Sequence, residues 1–170
     1  MDLTATLQGI RQLRDGVRER NPPPEEGAPS PEEPVIYLSL VRNTRHYLER
    51  LAHQINGAYA GGWYDASAVM IRRLVETLII EVYEKYKIES SVQNASGDFF
   101  YLRDLVAAML AEKAWNLGRT TKGALPRLKD VGDRSAHSRR YVAQRQDIDK
   151  LIDDLRIVVQ ELVTLADLKR

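Results

Sequence analysis

The amino-acid sequence predicts an all-α fold, an antiparallel helical bundle preceded by a helical arm on a Pro/Glu-rich tether. Three observations support this prediction: apolar residues recur with helical spacing, no segment alternates convincingly between apolar and polar residues, and prolines cluster in one stretch. The chain of 170 residues is long enough for about one domain with its own core. It contains no cysteine, which excludes a disulfide framework and any cysteine-based zinc or redox site.

Residues 1–20 are predicted to form an amphipathic helix. Its apolar stripe consists of Leu3, Leu7, Ile10, Leu13 and Val17. Residues 21–34, NPPPEEGAPSPEEP, are predicted to be an extended linker, because consecutive prolines cannot continue a helix and the remaining residues cannot build a core. An isolated helix of this length is marginal in water. We therefore expect the arm to pack on its own bundle, on a second subunit or on another protein.

Residues 35–170 are predicted to form the bundle itself. Its first helix carries a stripe from Tyr37 to Ile55 and is expected to end near Asn56 and Gly57. After a tight turn at Gly61–Gly62, a long helix is predicted from about Trp63 to Lys87. This helix is apolar on most sides, which predicts a central position in the bundle.

Three further helices complete the predicted bundle. Asp98 is expected to cap the first of them, which opens the segment GDFFYLRDLVAAML. A shorter helix is predicted from roughly Leu125 to His137, with Pro126 in its first turn, where proline is tolerated. The last helix is predicted from Asp147 to Leu168.

Several residues that often occur in functional sites have a structural interpretation here. Trp63 and Trp115 are predicted to pack in the core or at its edge. His46 and His53 lie two helical turns apart on a polar face, without the further ligands that a metal site needs. We therefore expect neither a metal nor a cofactor.

The positive charge of the chain is concentrated in one segment. The overall net charge is only +1, so any electrostatic recognition must be local. The basic residues of the segment are Arg119, Lys122, Arg127, Lys129, Arg134, Arg139, Arg140 and Arg145, against Asp130 and Asp133 alone. Arginine suits phosphate because its guanidinium is a planar fork of donors, and Tyr141 adds a face for stacking. The alternative is that these charges form an ordinary solvated face.

Two stretches of the bundle resemble the HEPN superfamily of small helical proteins. The stretches are AYAGGWYDASAVMIRRLVETLI and LKDVGDRSAH, and the likeness extends over about residues 35–168, closest to a prokaryotic branch of unassigned function. The motif positions are Arg72, Arg73 and Glu76 on the long helix, and Gly132, Asp133, Ala136 and His137 near the end. The resemblance implies a bundle of four to five helices, often homodimeric, of a kind found among toxins, in phage defence and as non-catalytic partners.

Active HEPN proteins are often metal-independent ribonucleases, whose signature is an arginine, often followed by Asn or Asp, then four to six residues, then a histidine. The histidine exchanges protons with the reacting oxygens, and the arginine stabilises the charge that develops on the scissile phosphate. Here Arg134 lies three positions before His137 and Arg127 lies ten before it, so the spacing differs from that signature. Lys129, which lies between them, supplies a charge but not the guanidinium fork.

Arg72 and Glu76 lie one helical turn apart between two apolar zones and are expected to pair, either as a structural ion pair or as the polar floor of a site.

The sequence as a whole favours a protein that binds RNA, single-stranded DNA or a nucleotide through a basic surface centred on His137. The candidate catalytic residues are His137 and Arg134, and the candidate ligand-binding residues are Arg127, Lys129, Arg139, Arg140, Arg72, Arg73 and Glu76. Two alternatives stay open: a homodimeric or partner-binding scaffold, and a ribonuclease with a degenerate motif. With no apolar signal segment or membrane span, we expect a cytoplasmic protein. The HEPN resemblance implies a role in prokaryotic defence or a toxin–antitoxin system.

Overall fold

A computed structural model describes residues 7–12 and 33–169, which are helical and contain no β-strand. The helices are α1 (7–12), α2 (Leu38–Val41), α3 (His46–Ala60), α4 (Tyr64–Tyr86), α5 (Leu102–Ala111), α6 (Arg119–His137), α7 (Arg145–Asp149) and α8 (Ile152–Leu165), with a short 3-10 helix at Glu89–Val92. The predicted all-α bundle is confirmed. Within the same ranges, none of the helices combines the length and the apolar character that crossing a bilayer requires.

α4 is the central helix of the bundle, as its sequence predicts. It packs against α3, α5, α6, α7 and α8, and its predicted bounds are correct to within one residue at each end. Its fully buried apolar side chains are Leu74, Val75, Leu78, Ile79 and Val82. These five helices are therefore positioned by their contacts with α4, whereas α2 packs on α3 and α8.

The predicted first helix of the bundle is wrong in its continuity and in its end. The helix is interrupted between α2 and α3, where Asn43 adopts a left-handed conformation with φ of 61°. The helix then continues through Gly57 to Ala60, and the Gly61 N–H donates to the carbonyl of Gly57 at 2.9 Å in its last turn. The turn comes at Gly62, whose φ of 79° suits glycine.

The predicted starts of α5 and α6 are also wrong. Asp98 does not cap α5, which begins at Leu102. The backbone N–H of Asp98 instead donates to the side chain of Asn94 in the preceding turn. α6 begins at Arg119, because the Glu161 carboxylate of α8 accepts hydrogen bonds from the Gly118 N–H at 2.7 Å and from the Thr121 hydroxyl. Pro126 therefore lies in the interior of α6 and not in its first turn.

The last predicted helix is divided in two. α7 opens with a reciprocal cap between Gln144 and Asp147, and the chain turns at Lys150 before α8 begins. α8 is anchored to the start of the bundle by Arg156, whose guanidinium donates to the carbonyls of Val35 at 3.2 Å and of Pro34 at 2.6 Å. Residue 35 is therefore fixed to the bundle.

The arm is described only at residues 7–12. These residues are helical, and Leu7 and Ile10 of the predicted stripe are about half exposed. At these two positions the stripe is not packed against the bundle of the same chain, so a second subunit or another protein remains as the predicted surface. Leu3, Leu13, Val17 and the linker residues 21–32 lie outside the described residues.

α4 and α6 run antiparallel and approach closely at Gly132. The built position of a Cβ at Gly132 would overlap the Cβ of Arg72 and lie 3.2 Å from the backbone oxygen of Ala68. Both obstacles lie on the α4 backbone or next to it, so they cannot swing aside as the end of a side chain does. Glycine is therefore required here for helix packing.

Gly132→Ala is predicted to destabilise the bundle by roughly 1–3 kcal/mol, because α6 must move away from α4 to accommodate the methyl group. Gly123→Ala on the same helix is the matched control, since its Cβ would meet only the flexible end of Arg127 at 3.5 Å. The control is expected to gain roughly 0.5–1 kcal/mol of helix stability. Urea denaturation of both variants measures the difference, and equal stability of the two would contradict the close contact.

Candidate phosphate-binding surface

The two stretches that carry the HEPN resemblance meet at one network of charges, which we call the Arg72 clamp. It consists of Arg72 and Glu76 on α4 and Lys129 and Asp133 on α6. Arg72 donates from Nε to Asp133 Oδ1 at 2.8 Å and from Nη1 to Glu76 Oε2 at 3.0 Å. Lys129 donates from Nζ to Asp133 Oδ2 at 3.0 Å. The predicted pairing of Arg72 with Glu76 is confirmed, and Asp133 is a second carboxylate partner for Arg72.

The Arg72 clamp is partly shielded from water. The side chains of Arg72 and Lys129 are 20% and 18% exposed, and both carboxylates of the clamp are 30% exposed. Each cation also has two carboxylate partners, because Lys129 additionally binds Asp130 at 2.8 Å. The positive charges of Arg72 and Lys129 are therefore neutralised internally and have little left to offer a phosphate.

The pKa of Asp133 reflects two opposing effects. Burial raises it, but the hydrogen bonds from Arg72 and Lys129 and their positive charges outweigh burial, so the pKa lies below the ordinary value. The same contacts with Asp130 and Asp133 raise the pKa of Lys129. Asp133 is therefore held ionised in the folded protein, between two cations that stay charged.

Two further predicted ligand residues lie apart from His137. Arg127 forms an ion pair with Asp154 of α8. It lies ten residues before His137, so the two residues are about 15 Å apart along the axis of α6. Arg73 faces outward on α4 and lines a cavity of about 480 Å³ between α3 and α4, together with Arg50. The structure therefore divides the predicted set of binding residues among four places: the Arg72 clamp, Arg127 at α8, Arg73 at the α3–α4 cavity, and Arg139 and Arg140 after the end of α6.

The C-terminal end of α6 and the loop after it carry three arginines that no carboxylate of the described residues neutralises. We call this part the α6 end surface; it consists of Arg134, His137, Arg139 and Arg140, together with the ring of Tyr141. All four basic side chains are exposed, and none forms an ion pair with a carboxylate of residues 7–12 or 33–169. The charges of the three guanidinium groups are therefore available to a ligand.

Tyr141 holds Arg134 in place on this surface. The guanidinium carbon of Arg134 lies 4.6 Å from the centroid of the Tyr141 ring, which is within the range of a cation–π contact. The ring is held in turn, because its hydroxyl donates to Asp147 at 2.9 Å. Burial and then this hydrogen bond raise the pKa of Tyr141 to about 12, so the hydroxyl remains a donor throughout the physiological range.

The loop that carries Arg139 and Arg140 is fixed at both ends. The backbone N–H of Tyr141 donates to the Ser138 hydroxyl at 3.2 Å, and the N–H of the buried Ala143 donates to Asp65 on α4 at 2.9 Å. The imidazole of His137, in contrast, has no hydrogen bond to any side chain or backbone group in the described part of the chain. The surface thus orients its first arginine and leaves its histidine free.

Sequence reasoning found the arginines of this surface but not their environment. The charge run indicates Arg134, Arg139 and Arg140, whereas nothing in the sequence shows which of the eight cations are neutralised by distant carboxylates. Trp115 is buried in the core, and Trp63 lies at its edge with 53% of its surface exposed. Asp65 and Asp147 were missed because each acts only through a contact made by the folded loop.

Comparison with protein-family models, with curated proteins and with solved structures found no match for this chain. Among the described residues, no cluster of three or more His, Asp or Glu side chains is arranged to hold a metal ion. The case for function therefore depends on the geometry of the α6 end surface alone.

Replacing Asp133 tests the electrostatics of the Arg72 clamp. Because the folded pKa of Asp133 is lowered, its contribution to stability is fully present above the unfolded value of about 3.9 and is lost as the pH falls through the folded value. Asp133→Asn is therefore expected to cost roughly 2 kcal/mol at pH 7, and this difference from wild type should shrink below about pH 4. Denaturation of both proteins between pH 3 and pH 7 measures it.

Asp130→Asn is the matched control on the same helix. Asp130 also binds Lys129, but its side chain is 63% exposed and it does not contact α4. Its replacement is expected to change stability by no more than about 0.5 kcal/mol. If the two variants lose stability equally, Asp133 does not hold α6 against α4.

Proposed function

We propose that the protein binds phosphate-containing ligands, namely RNA, single-stranded DNA or a nucleotide, through the α6 end surface. The observation that carries the proposal is the distribution of charge: Arg134, Arg139 and Arg140 are exposed and unpaired in the described part of the chain, whereas Arg72, Arg127 and Lys129 are bound to carboxylates. An unpaired, exposed guanidinium keeps its donors for phosphate oxygens.

The position of the surface determines how a phosphate is held. The last turn of α6 presents carbonyl oxygens and the negative end of the helix dipole, which stabilise Arg134 and His137 but repel an anion. The backbone of α6 therefore contributes nothing to binding at this end. The arginine side chains have to hold the phosphate, and the contact between Arg134 and Tyr141 reduces the entropy that Arg134 loses on binding.

The proposal includes a place in the HEPN superfamily, in its prokaryotic branch with roles in defence. It is supported by the bundle architecture and by the way the two resembling stretches pack against each other at Gly132 and Arg72. Homodimer formation belongs to the same proposal, and the exposed apolar residues Leu7 and Ile10 of the arm support contact with a second chain or another protein.

A ribonuclease is the second candidate. It is favoured by the positions of Arg134 and His137, which lie three residues apart on the last turn of α6, both exposed to a ligand. Incubation of the protein with RNA in EDTA distinguishes the two candidates. A ribonuclease cleaves the RNA and loses cleavage but not binding in His137→Ala, whereas a binder retains intact RNA in both forms.

The salt dependence of binding tests the proposed function. Fluorescence anisotropy with a labelled single-stranded oligonucleotide is expected to show an affinity that falls steeply with salt, because bound arginines displace counterions. The double variant Arg134→Ala/Arg139→Ala should reduce the slope of log K against log salt by roughly two, because each arginine is expected to bind about one phosphate.

The matched control removes the same charge from the other end of α6. Arg119 and Lys122 are exposed and have no carboxylate partner within the described ranges, and they lie in the first turn of α6. Arg119→Ala/Lys122→Ala is expected to leave the slope nearly unchanged. Equal slopes for the two double variants would show that binding follows net charge and not the α6 end surface.

If the wild-type protein retains no oligonucleotide or nucleotide at low salt, the proposed phosphate binding is wrong and the scaffold interpretation replaces it.

A further inference from the structure

The exposed tryptophan lies at the same end of the bundle as the free arginines. Gly132 of α6 lies against Ala68 of α4. Because the two helices are antiparallel, moving four residues (about 6 Å) forward along α6 corresponds to moving four residues back along α4, which brings Ala136 level with Tyr64. The hydrogen bond from Ala143 to Asp65 joins the arginine loop to the first turn of α4 as well. Trp63, which directly precedes α4, therefore lies at the end of the bundle where α6 ends.

The indole of Trp63 is held on one side and open on the other. Its ring-fusion carbon Cδ2 lies 3.6 Å from the position that a Cβ of Gly61 would take, so the ring rests on the bare backbone of the turn. Its backbone N–H donates to the carbonyl of Ala58 at 2.9 Å, which fixes the residue to the end of α3. With 53% of its surface exposed, the ring offers an apolar face to solvent at a fixed position.

Tyr141, the aromatic residue nearest to the arginines in sequence, does not offer such a face. Arg134 already lies over its ring, its hydroxyl is bound to Asp147, and the residue is only partly exposed. Val142, in contrast, is 57% exposed and lies beside Ala143, the residue bound to the first turn of α4. The free apolar surface at this end therefore belongs to Trp63 and Val142.

An exposed aromatic ring at the same end of the bundle as unpaired arginines matches the chemistry of a single-stranded nucleic acid. Arginines hold the backbone phosphates, and an unpaired base stacks on the ring without regard to its identity, because every base has a π-face. In a duplex the bases are already stacked on one another, so the ring gains nothing from it. A bare phosphate chain likewise has no group that the ring attracts.

We propose that Trp63 is the base-stacking platform of the α6 end surface, so that the ligand is a single strand with at least one unpaired base. This inference rests on the proposed function, since the arginines must hold the strand. It narrows the ligand class from any phosphate compound to single-stranded RNA or DNA, and it assigns to Trp63 a role in affinity that is independent of charge.

The experiment compares three ligands of similar charge on the full chain: an oligo(U), an oligo(dT) and an abasic oligonucleotide of the same length. Binding of either base-carrying strand is expected to quench tryptophan fluorescence, because Trp63 is exposed whereas Trp115 is buried. The abasic strand should bind more weakly and leave the fluorescence nearly unchanged. The first two arms also show whether the site prefers RNA or DNA.

Variants then separate stacking from charge. Trp63→Ala is expected to weaken binding of the base-carrying strands by at least about fivefold, with the salt slope unchanged, whereas Trp63→Phe should recover most of the affinity. Tyr101→Ala is the matched control, since Tyr101 is an 80% exposed aromatic residue that precedes α5 and lies outside the basic segment. Its replacement should leave the affinity unchanged.

The outcomes distinguish failure of the inference from failure of the proposed function. If all three ligands bind equally with a steep salt dependence, and Trp63→Ala binds as wild type does, the stacking role is wrong and phosphate binding stands. If none of the three binds at low salt, both are wrong. If Trp63→Ala instead halves the mass measured by sedimentation and leaves strand binding unchanged, Trp63 is a subunit contact and the inference is overturned.

Discussion

The close contact between α4 and α6 at Gly132 is the constraint on which the rest of the structure depends. Only glycine lets the backbone of α6 approach Arg72 and Ala68, and this approach brings Asp133 within 2.8 Å of the Arg72 guanidinium. The packing and the ion network therefore require each other: a wider helix separation would leave Arg72 with one carboxylate and Asp133 with one cation. Partly buried charges are costly without such partners.

The same contact divides the cations of the protein by function. Side chains on the turns of α6 that face α4 and α8 meet carboxylates, which neutralises Lys129 and Arg127. Arg134 lies one residue past the Arg72 clamp, on a different side of the helix, and finds an aromatic ring where the others find an acid. A cation–π contact orients a guanidinium without cancelling its charge. Three arginines without a carboxylate partner among the described residues consequently lie where α6 ends.

The sequence predicts the helical class and the central helix well, because both depend on the spacing of apolar residues within one segment. The bounds of α4 were predictable since its apolar faces cover its whole length. The early start of α6 was not, since its first turn is capped by Glu161, 43 positions further along the chain. The break after α2 lies within an unbroken apolar stripe, so periodicity could not indicate it. Contacts between distant segments account for these differences.

As with the fold, the parts of the candidate site that lie within one segment were predictable from the sequence, and those that depend on folding were not. A run of arginines around His137 is visible in the sequence, and so is the spacing of Arg72 and Glu76. The exposure of Trp63 was not visible, because it depends on the Gly61–Gly62 turn and not on the residues beside it in the helical pattern. Apolar character alone favours burial, so an exposed tryptophan is recognised only after folding.

The contrast between Arg134 and His137 bears on the choice between binding and cleavage. General acid–base catalysis depends on an imidazole held in one tautomer and aimed at the reacting proton, which a hydrogen bond to its second nitrogen usually achieves. The imidazole of His137 has no such bond among the described residues, whereas Arg134 is held by Tyr141, and Tyr141 by Asp147. The surface is thus organised around a cation and not around a proton donor. Such an organisation suits recognition of a phosphate chain, and cleavage would require the ligand itself, or a second subunit, to orient the imidazole.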